Sequence, residues 1–247
     1  MTFARRPFLA LAALTLALAV ASPSAFAADT VRGTGVAATD RRDVGAFVGV
    51  AVGGSIAVVL RQGNREAIEI VADDNVLPLI ETEVRGSGDE RTLQIDFVKN
   101  ARVEPRTPIV VTVDFVRLER LALGGSGSID GKAIKTAKLK AAIGGSGSIG
   151  LGGIDVGDLA VSIGGSGSFR ADGQARNLAV NIGGSGHCDA ERLTASDVTV
   201  AMAGSGDARV HADSALKATI AGSGDVYYSG AATPHVAIVG SGRVKKL

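Results

Sequence analysis

Apolar and polar residues alternate along most of the chain after residue 44, which is the period of a β-strand with one buried face. Between residues 44 and 117 the alternation forms about five short runs, separated by turn-forming stretches such as 62–64 and 86–89. From residue 118 onward the pattern becomes a repeat. The sequence therefore predicts an antiparallel β-rich segment over 44–117 and repeats over 118–247.

Seven Gly-Ser-Gly triplets mark the repeat, at spacings of 18 to 20 residues. Their central serines are Ser126, Ser146, Ser166, Ser185, Ser205, Ser223 and Ser241. A short period that ends every unit on the same tight turn is typical of stacked coils. We therefore expect an all-β protein whose second part is a right-handed parallel β-solenoid of about seven rungs.

Alignment of the units on the triplet predicts the core. The positions two and four residues before the first glycine, and two residues after the second, are apolar in every unit. In one unit these are Ile143, Ala141 and Ile149. Because side chains on one face of a strand recur every second residue, these three columns are expected to point into the coil.

The composition of the triplet suits stacked turns. Neighbouring rungs lie about 4.8 Å apart, so each turn residue meets its copies above and below. Glycine allows a positive φ or a close backbone approach at such a turn. Serine hydroxyls both donate and accept, so the sequence predicts a ladder of hydrogen bonds between stacked serines.

The first 27 residues have the features of a secretory signal peptide. Arg5 and Arg6 precede an apolar run from Phe8 to Val20, and small residues at Ala25 and Ala27 favour cleavage there. We expect a mature chain without a transmembrane segment, exported to the periplasm, the cell surface or the extracellular space. Residues 28–43 are Gly- and Thr-rich without apolar periodicity, so they are predicted to form a flexible linker.

Charge and cysteine content argue against nucleic-acid partners and internal disulfide bonds. Removal of two arginines with the signal peptide leaves 24 basic against 25 acidic residues, a net charge of −1. This balance argues against nucleic-acid binding. One cysteine permits no internal disulfide. No cofactor motif is present in the sequence, so no cofactor is expected.

Several segments resemble the putative auto-transporter adhesin, head GIN domain family. They are Phe47-Val48-Gly49-Val50, Gly54-Ser55-Ile56-Ala57-Val58, the turn Gln62-Gly63, Leu93-Gln94-Ile95 and the entry from Leu121 to Gly127. The resemblance covers residues 44–247. It implies a secreted bacterial domain of β-sheet and coil-like repeats, with an adhesin label and no catalytic residues to carry over.

Ionisable groups converge in the outward column directly after the triplets. Its members are Ser128, Ser148, Ser168, His187, Asp207, Asp225 and Arg243. If the rungs are in register, Asp207 and Asp225 lie about 5 Å apart. Two hypotheses follow: an exposed ladder neutralised by His187 and Arg243, or a weak divalent-metal site at His187, Asp207 and Asp225.

Another outward column consists of unusually small residues. Its members are Ala122, Ala142, Ser162, Asn181, Ala201, Thr219 and Ala237. A flat surface without long side chains can lie close against another sheet at low entropy cost. This column is therefore a possible interaction face for an envelope or cell-surface protein, unless another part of the chain covers it.

Catalytic, reactive-thiol and sugar-binding sites find little support in the sequence. His211 and His235 fall in different columns, and no Ser/His/Asp grouping is expected, because the serines serve turns. Cys188 falls in a core column, which favours an inert buried thiol over a reactive or dimer-forming one. Sugars stack on aromatic faces, and aromatics make up only 4% of the chain.

The sequence thus favours an exported, non-enzymatic structural or binding module of the cell envelope, acting in adhesion or protein interaction. The alternative is a weak divalent-metal-binding or scaffold protein. Oligomeric state is left open.

Overall fold

The computed structural model describes residues 30–247, so the predicted signal peptide lies outside the described residues. Apart from two single-turn 3-10 helices, Leu77–Leu79 and Gly88–Glu90, all regular structure in this range is β-strand. Within 30–247, no helical segment has the length and apolarity to cross a membrane.

Nineteen strands follow one another along residues 30–247. They are β1 Thr30–Arg32, β2 Ala37–Arg42, β3 Gly49–Gly54, β4 Ala57–Gln62, β5 Ala67–Asp73, β6 Ile80–Arg85, β7 Thr92–Phe97, β8 Arg102–Glu104, β9 Val110–Phe115, β10 Arg120–Gly125, β11 Ser128–Lys132, β12 Lys135–Gly145, β13 Ser148–Gly165, β14 Ser168–Gly184, β15 His187–Gly204, β16 Asp207–Gly222, β17 Asp225–Ser229, β18 Thr233–Gly240 and β19 Arg243–Lys246.

Strands β10 to β19 form the predicted parallel β-solenoid, which makes about six turns. Each strand pairs in parallel with its equivalent one coil further along, as in Leu121 with Ala141 and Ile143 with Ile163. Register shifts, such as the one between Leu151 and Ile154, absorb the differences in repeat length. The stacking of equivalent residues expected from the triplet spacing is therefore confirmed.

The three predicted core columns are buried in every rung of the solenoid except the last. The equivalents of Ile143, Ala141 and Ile149 have almost no exposed surface from β10 to β17. In the last rung, Val236 and Ile238 stand in two of these columns but are 45% and 38% exposed. No further rung covers them in the described chain, so the C-terminal end of the core is open.

The segment before residue 118 contributes parallel rungs as well as antiparallel strands. Strand β3 lies between β7 and β10, and β4 between β9 and β11, all in parallel. Antiparallel pairing joins β6 to β7, β5 to β9 and β2 to β5, so these strands cover the N-terminal end. The coil therefore starts earlier than the first Gly-Ser-Gly triplet, at Gly53-Gly54-Ser55, where Ile56 replaces the second glycine of the triplet.

The structure differs from the linker predicted over 28–43. From residue 30 onward this segment contains β1, which pairs in parallel with β8, and β2, which pairs antiparallel with β5. Neither strand needs apolar periodicity, because both lie at sheet edges and are held by backbone hydrogen bonds.

A buried carboxylate anchors this N-terminal strand region. Asp73 is fully buried at the end of β5 and accepts hydrogen bonds from the backbone of Gly35, Arg106 and Thr107 and from the Thr107 hydroxyl, at 2.8 to 3.1 Å. Burial raises the pKa of Asp73, but the hydrogen bonds from Thr107, Arg106 and Gly35 outweigh it, so the pKa lies below its ordinary value. The ionised carboxylate thus connects three distant segments.

Candidate functional site

Stacked backbone hydrogen bonds hold the turns together. The N–H of each central serine donates to a glycine carbonyl of the preceding rung at 2.9 to 3.0 Å, beginning with Ser126 on Gly54. Across residues 30–247, no hydrogen bond joins the hydroxyls of these serines to one another. The ladder is therefore formed by the backbone rather than by the hydroxyl relay expected from the sequence.

The glycines of the triplet are required by close contact between rungs. At Gly184, the first glycine of its triplet, φ is +129°, and a Cβ would lie 2.7 Å from the carbonyl oxygen of Gly165. At Gly186, the second glycine, a Cβ would lie 2.9 Å from the carbonyl oxygen of Gly167. A side chain at either position would push the rungs apart.

The column of ionisable groups is in register as predicted. His187 is level with Asp207, Asp207 with Asp225, and Asp225 with Arg243. The Nδ1 atom of His187 lies 3.4 Å from Asp207 Oδ2, and the backbone N–H of Asp225 donates to Asp207 Oδ1 at 3.4 Å. Asp225 also accepts a hydrogen bond of 3.3 Å from the Tyr227 hydroxyl. Neighbouring protein groups thus engage both carboxylates.

Metal binding by this column stays a prediction. Among the described residues, no three His, Cys, Asp or Glu side chains come together in a way that could hold a metal ion. His187, Asp207 and Asp225 follow one another along the column instead of converging on one point. A cation there would have to replace the existing contacts of Asp207 and Asp225.

The small-residue column forms an exposed, flat surface on the strands that precede the turns. We call it the flat surface and define it by Ala122, Ala142, Ser162, Asn181, Ala201, Thr219 and Ala237. All seven are in register, and no other part of the described chain buries them. The alternative that the chain itself covers this column does not hold in the structure.

A second column, formed mainly by glycine and alanine, widens the flat surface. Two positions further along each strand stand Gly124, Gly144, Gly164, Gly183, Ala203 and Ala221, with the larger Val239 only in the last rung. A Cβ at Gly144 would meet no atom within 4 Å, and one at Gly183 only the Ile163 carbonyl oxygen at 4.0 Å. Contact between rungs therefore does not require glycine here, unlike in the triplets. The two columns together form a shallow depression of about 430 Å³ around Asn181.

The structure brings together a serine, a histidine and an aspartate that the sequence analysis did not group. His211 Nδ1 lies 2.8 Å from the Ser229 hydroxyl, and its Nε2 lies 3.0 Å from Asp213 Oδ1. His211 contacts Ser229 because the two residues are level on adjacent rungs. His211 contacts Asp213 because residues two positions apart on a strand lie on the same face. A cavity of about 690 Å³ on the described chain lies elsewhere and is lined by none of these three residues.

Cys188 lies in the core, as its column predicts. Its side chain is 2% exposed, and burial, with a smaller contribution from the charge of Asp189, raises its pKa to about 12. The thiolate is the reactive form of cysteine. At neutral pH this thiol is therefore unreactive in the folded protein.

The stacked parallel coils and their exposed outer surfaces define a β-solenoid repeat protein. The chain belongs to the family "Putative auto-transporter adhesin, head GIN domain", whose sequence model matches residues 46–232. The resemblance stated from the sequence is thus confirmed. No curated protein matches the chain significantly in sequence.

Solved structures of similar chains support the fold. A putative adhesin from Bacteroides fragilis superposes with a TM-score of 0.82 at 22% identity, covering 88% of this chain and 100% of its own. A putative adhesin from Parabacteroides distasonis gives 0.71 at 25% identity, covering 89% and 100%. A putative lipid binding protein from the same organism gives 0.72 at 24% identity, with the same coverage. At these identities the likeness concerns architecture.

Proposed function

We propose that the protein is an exported, non-enzymatic binding module of the bacterial cell envelope, which engages a partner protein through the flat surface. Its family and two of its structural neighbours carry the adhesin name. The signal peptide expected at residues 1–27 supports export to the periplasm or the cell surface.

The observation that carries this proposal is the exposure of the flat surface across seven rungs. The flat surface carries only small side chains, none longer than that of asparagine. Here Ser162, Asn181 and Ala201 lie beside Gly183, at which the coil itself does not require glycine. A partner sheet could approach such a surface closely without immobilising long side chains.

The proposal is tested by placing two long charged side chains on the flat surface. The double variant Ser162→Arg, Ala201→Arg, two rungs apart, should prevent close approach without touching the core. Cross-linking in intact cells, followed by mass spectrometry, should show complexes with the wild type that this variant loses.

The control is the double variant Gln174→Arg, Thr194→Arg. These two residues are exposed, in register on adjacent rungs and outside the depression that the flat surface forms. It adds the same charge and should retain every complex. Complexes that survive unchanged in the Ser162→Arg, Ala201→Arg protein would refute binding through this surface.

A further inference from the structure

A trough crosses the outer surface of the strands that follow the turns. Its volume is about 690 Å³, which is in the usual range of ligand sites. Its floor lies at Gly150 and Gly152, two successive outward positions of β13 that carry no side chain. Asp130 and Arg170 are level with Gly150 on either side, so the missing side chain leaves a gap between them.

The walls of the trough present oriented polar groups. Asp130 leans over the floor, since its Oδ1 lies 2.8 Å from where a Cβ of Gly150 would stand. The backbone N–H of Gly153 donates to Asp172 Oδ1 at 2.6 Å, which fixes that carboxylate and leaves Oδ2 beside Gly152. Arg170 pairs with Asp189 through Nε at 3.4 Å, so its terminal amino groups can donate to a ligand.

Charge in the trough is balanced. The lining contains three lysine or arginine side chains and three aspartates, namely Arg61, Lys132, Arg170, Asp130, Asp172 and Asp189, together with His187. Such a lining has no net attraction for an ion of either sign. It offers charged donors and charged acceptors side by side, which form stronger hydrogen bonds than neutral groups do. Hydroxyl groups suit it, because each donates and accepts at once.

The floor is one rung wide. The backbone at Gly150 and Gly152 is half-buried, and Val59, which is 38% exposed, lies two rungs from Gly150 beyond Asp130. From Val59 through Gly150 to Asp189 the trough crosses five rungs, a length of about 19 Å at the usual strand spacing. A chain of several linked rings fits this length, with one ring over the two glycines and its neighbours among the charged side chains.

We propose that this trough binds a neutral oligosaccharide, whose hydroxyls hydrogen-bond to Asp130, Arg170 and Asp172 while the C–H face of one ring lies over Gly150 and Gly152. The trough follows the turn and the flat surface precedes it. The proposal is therefore independent of protein binding by the flat surface.

The test uses the mature protein on an array of neutral and anionic oligosaccharides, followed by calorimetric titration of the strongest binder. Gly152→Leu should fill the trough without strain, since a Cβ there makes only ordinary contacts of 3.6 and 3.7 Å. Arg170→Met removes a donor. Both variants should weaken binding of a neutral oligosaccharide at least tenfold.

Gly144→Leu is the matched control, because it makes the same exchange at an exposed strand position on the flat surface. It should bind like the wild type, as should Ser162→Arg, Ala201→Arg. Circular dichroism and melting temperature establish that each variant folds. The proposal is wrong if the wild type binds no neutral oligosaccharide, if only anionic ones bind, or if Gly152→Leu binds as tightly as the wild type.

Discussion

At the scale of single residues, Asp73 is the polar group on which most of the local structure depends. Three backbone N–H groups and one hydroxyl donate to its carboxylate, and their residues are 33 to 38 positions away in sequence. A buried charge is stable only when such bonds replace its lost hydration. The N-terminal strands therefore depend on the ionised form of this one side chain.

We predict that Asp73→Asn lowers the melting temperature at pH 7, because the amide presents N–H donors where Arg106 and Thr107 already donate. Since the pKa of Asp73 is lower in the folded protein than in the unfolded chain, ionised Asp73 stabilises the fold above the ordinary aspartate pKa of about 3.9. That contribution is lost as the pH falls through the folded-state pKa. The difference in melting temperature between the two proteins should therefore be smaller at pH 3 than at pH 7.

Asp43→Asn is the control, because Asp43 is exposed next to β2, and it should melt like the wild type at both pH values. Equal melting temperatures of wild type and Asp73→Asn at pH 7 would contradict the role given to this carboxylate.

The sequence could not reveal Asp73 because its partners come from two segments that are each more than 30 positions away, at Gly35 and at Arg106 and Thr107. The core columns could be predicted, since strand periodicity and repeat spacing both lie within one unit. The trough could be predicted only in part. The sequence shows glycine at 150 and 152, where equivalent positions in neighbouring units carry side chains. Only the strand register shows that Asp130 and Arg170 flank the resulting gap. Likewise, contact between His211 and Ser229 required knowing which rung positions are level.

At the scale of one rung, glycine serves two physically distinct purposes. In the triplets it lets the backbones of neighbouring turns touch, as at Gly184. One position earlier, at Gly183, contact between rungs does not require it. Sequence alone shows a Gly-Gly pair at this point and cannot separate the two roles.

We predict that Gly184→Ala destabilises the protein by about 1–3 kcal/mol, because alanine must adopt a positive φ and its Cβ would press on the Gly165 carbonyl. Gly183→Ala should be neutral or stabilise by up to about 1 kcal/mol, because it restricts the unfolded chain and meets open space. Denaturant unfolding of the two single variants measures the difference. Equal losses of unfolding free energy in the two variants would show that close contact and positive φ are not what requires glycine at the turn.

At the scale of the whole molecule, the two ends of the coil are protected in different ways. Antiparallel strands cover the N-terminal end, where the chain inserts β3 and β4 between rungs that come later in sequence. The sequence placed the start of the coil too late because Ile56 interrupts the Gly-Ser-Gly triplet of this first rung, and because the partners β7 and β9 lie far away along the chain. The C-terminal end stays open, with Val236 45% and Ile238 38% exposed.

Charge and proline protect this open end. Lys246 is level with Tyr228 and Val210, which are core residues in the rungs before it. An inward charge of this kind discourages edge pairing with another chain, and Pro234 on β18 has no N–H to donate to one. These features of the last described rung make continuation of the stack by a second molecule unfavourable.

We predict that Lys246→Val makes the protein associate, because it extends a core column to the edge and leaves Val236 and Ile238 beside a fully apolar end. Lys245→Val removes the same charge from the outward side, where Lys245 lies over the Tyr227 ring at 5.7 Å, and should stay as dispersed as the wild type. Sedimentation velocity over a range of concentrations distinguishes the two. Both variants lose one positive charge, so association of Lys246→Val alone would follow from the inward direction of its side chain. Association of both variants, or of neither, would show that an inward lysine does not protect this end.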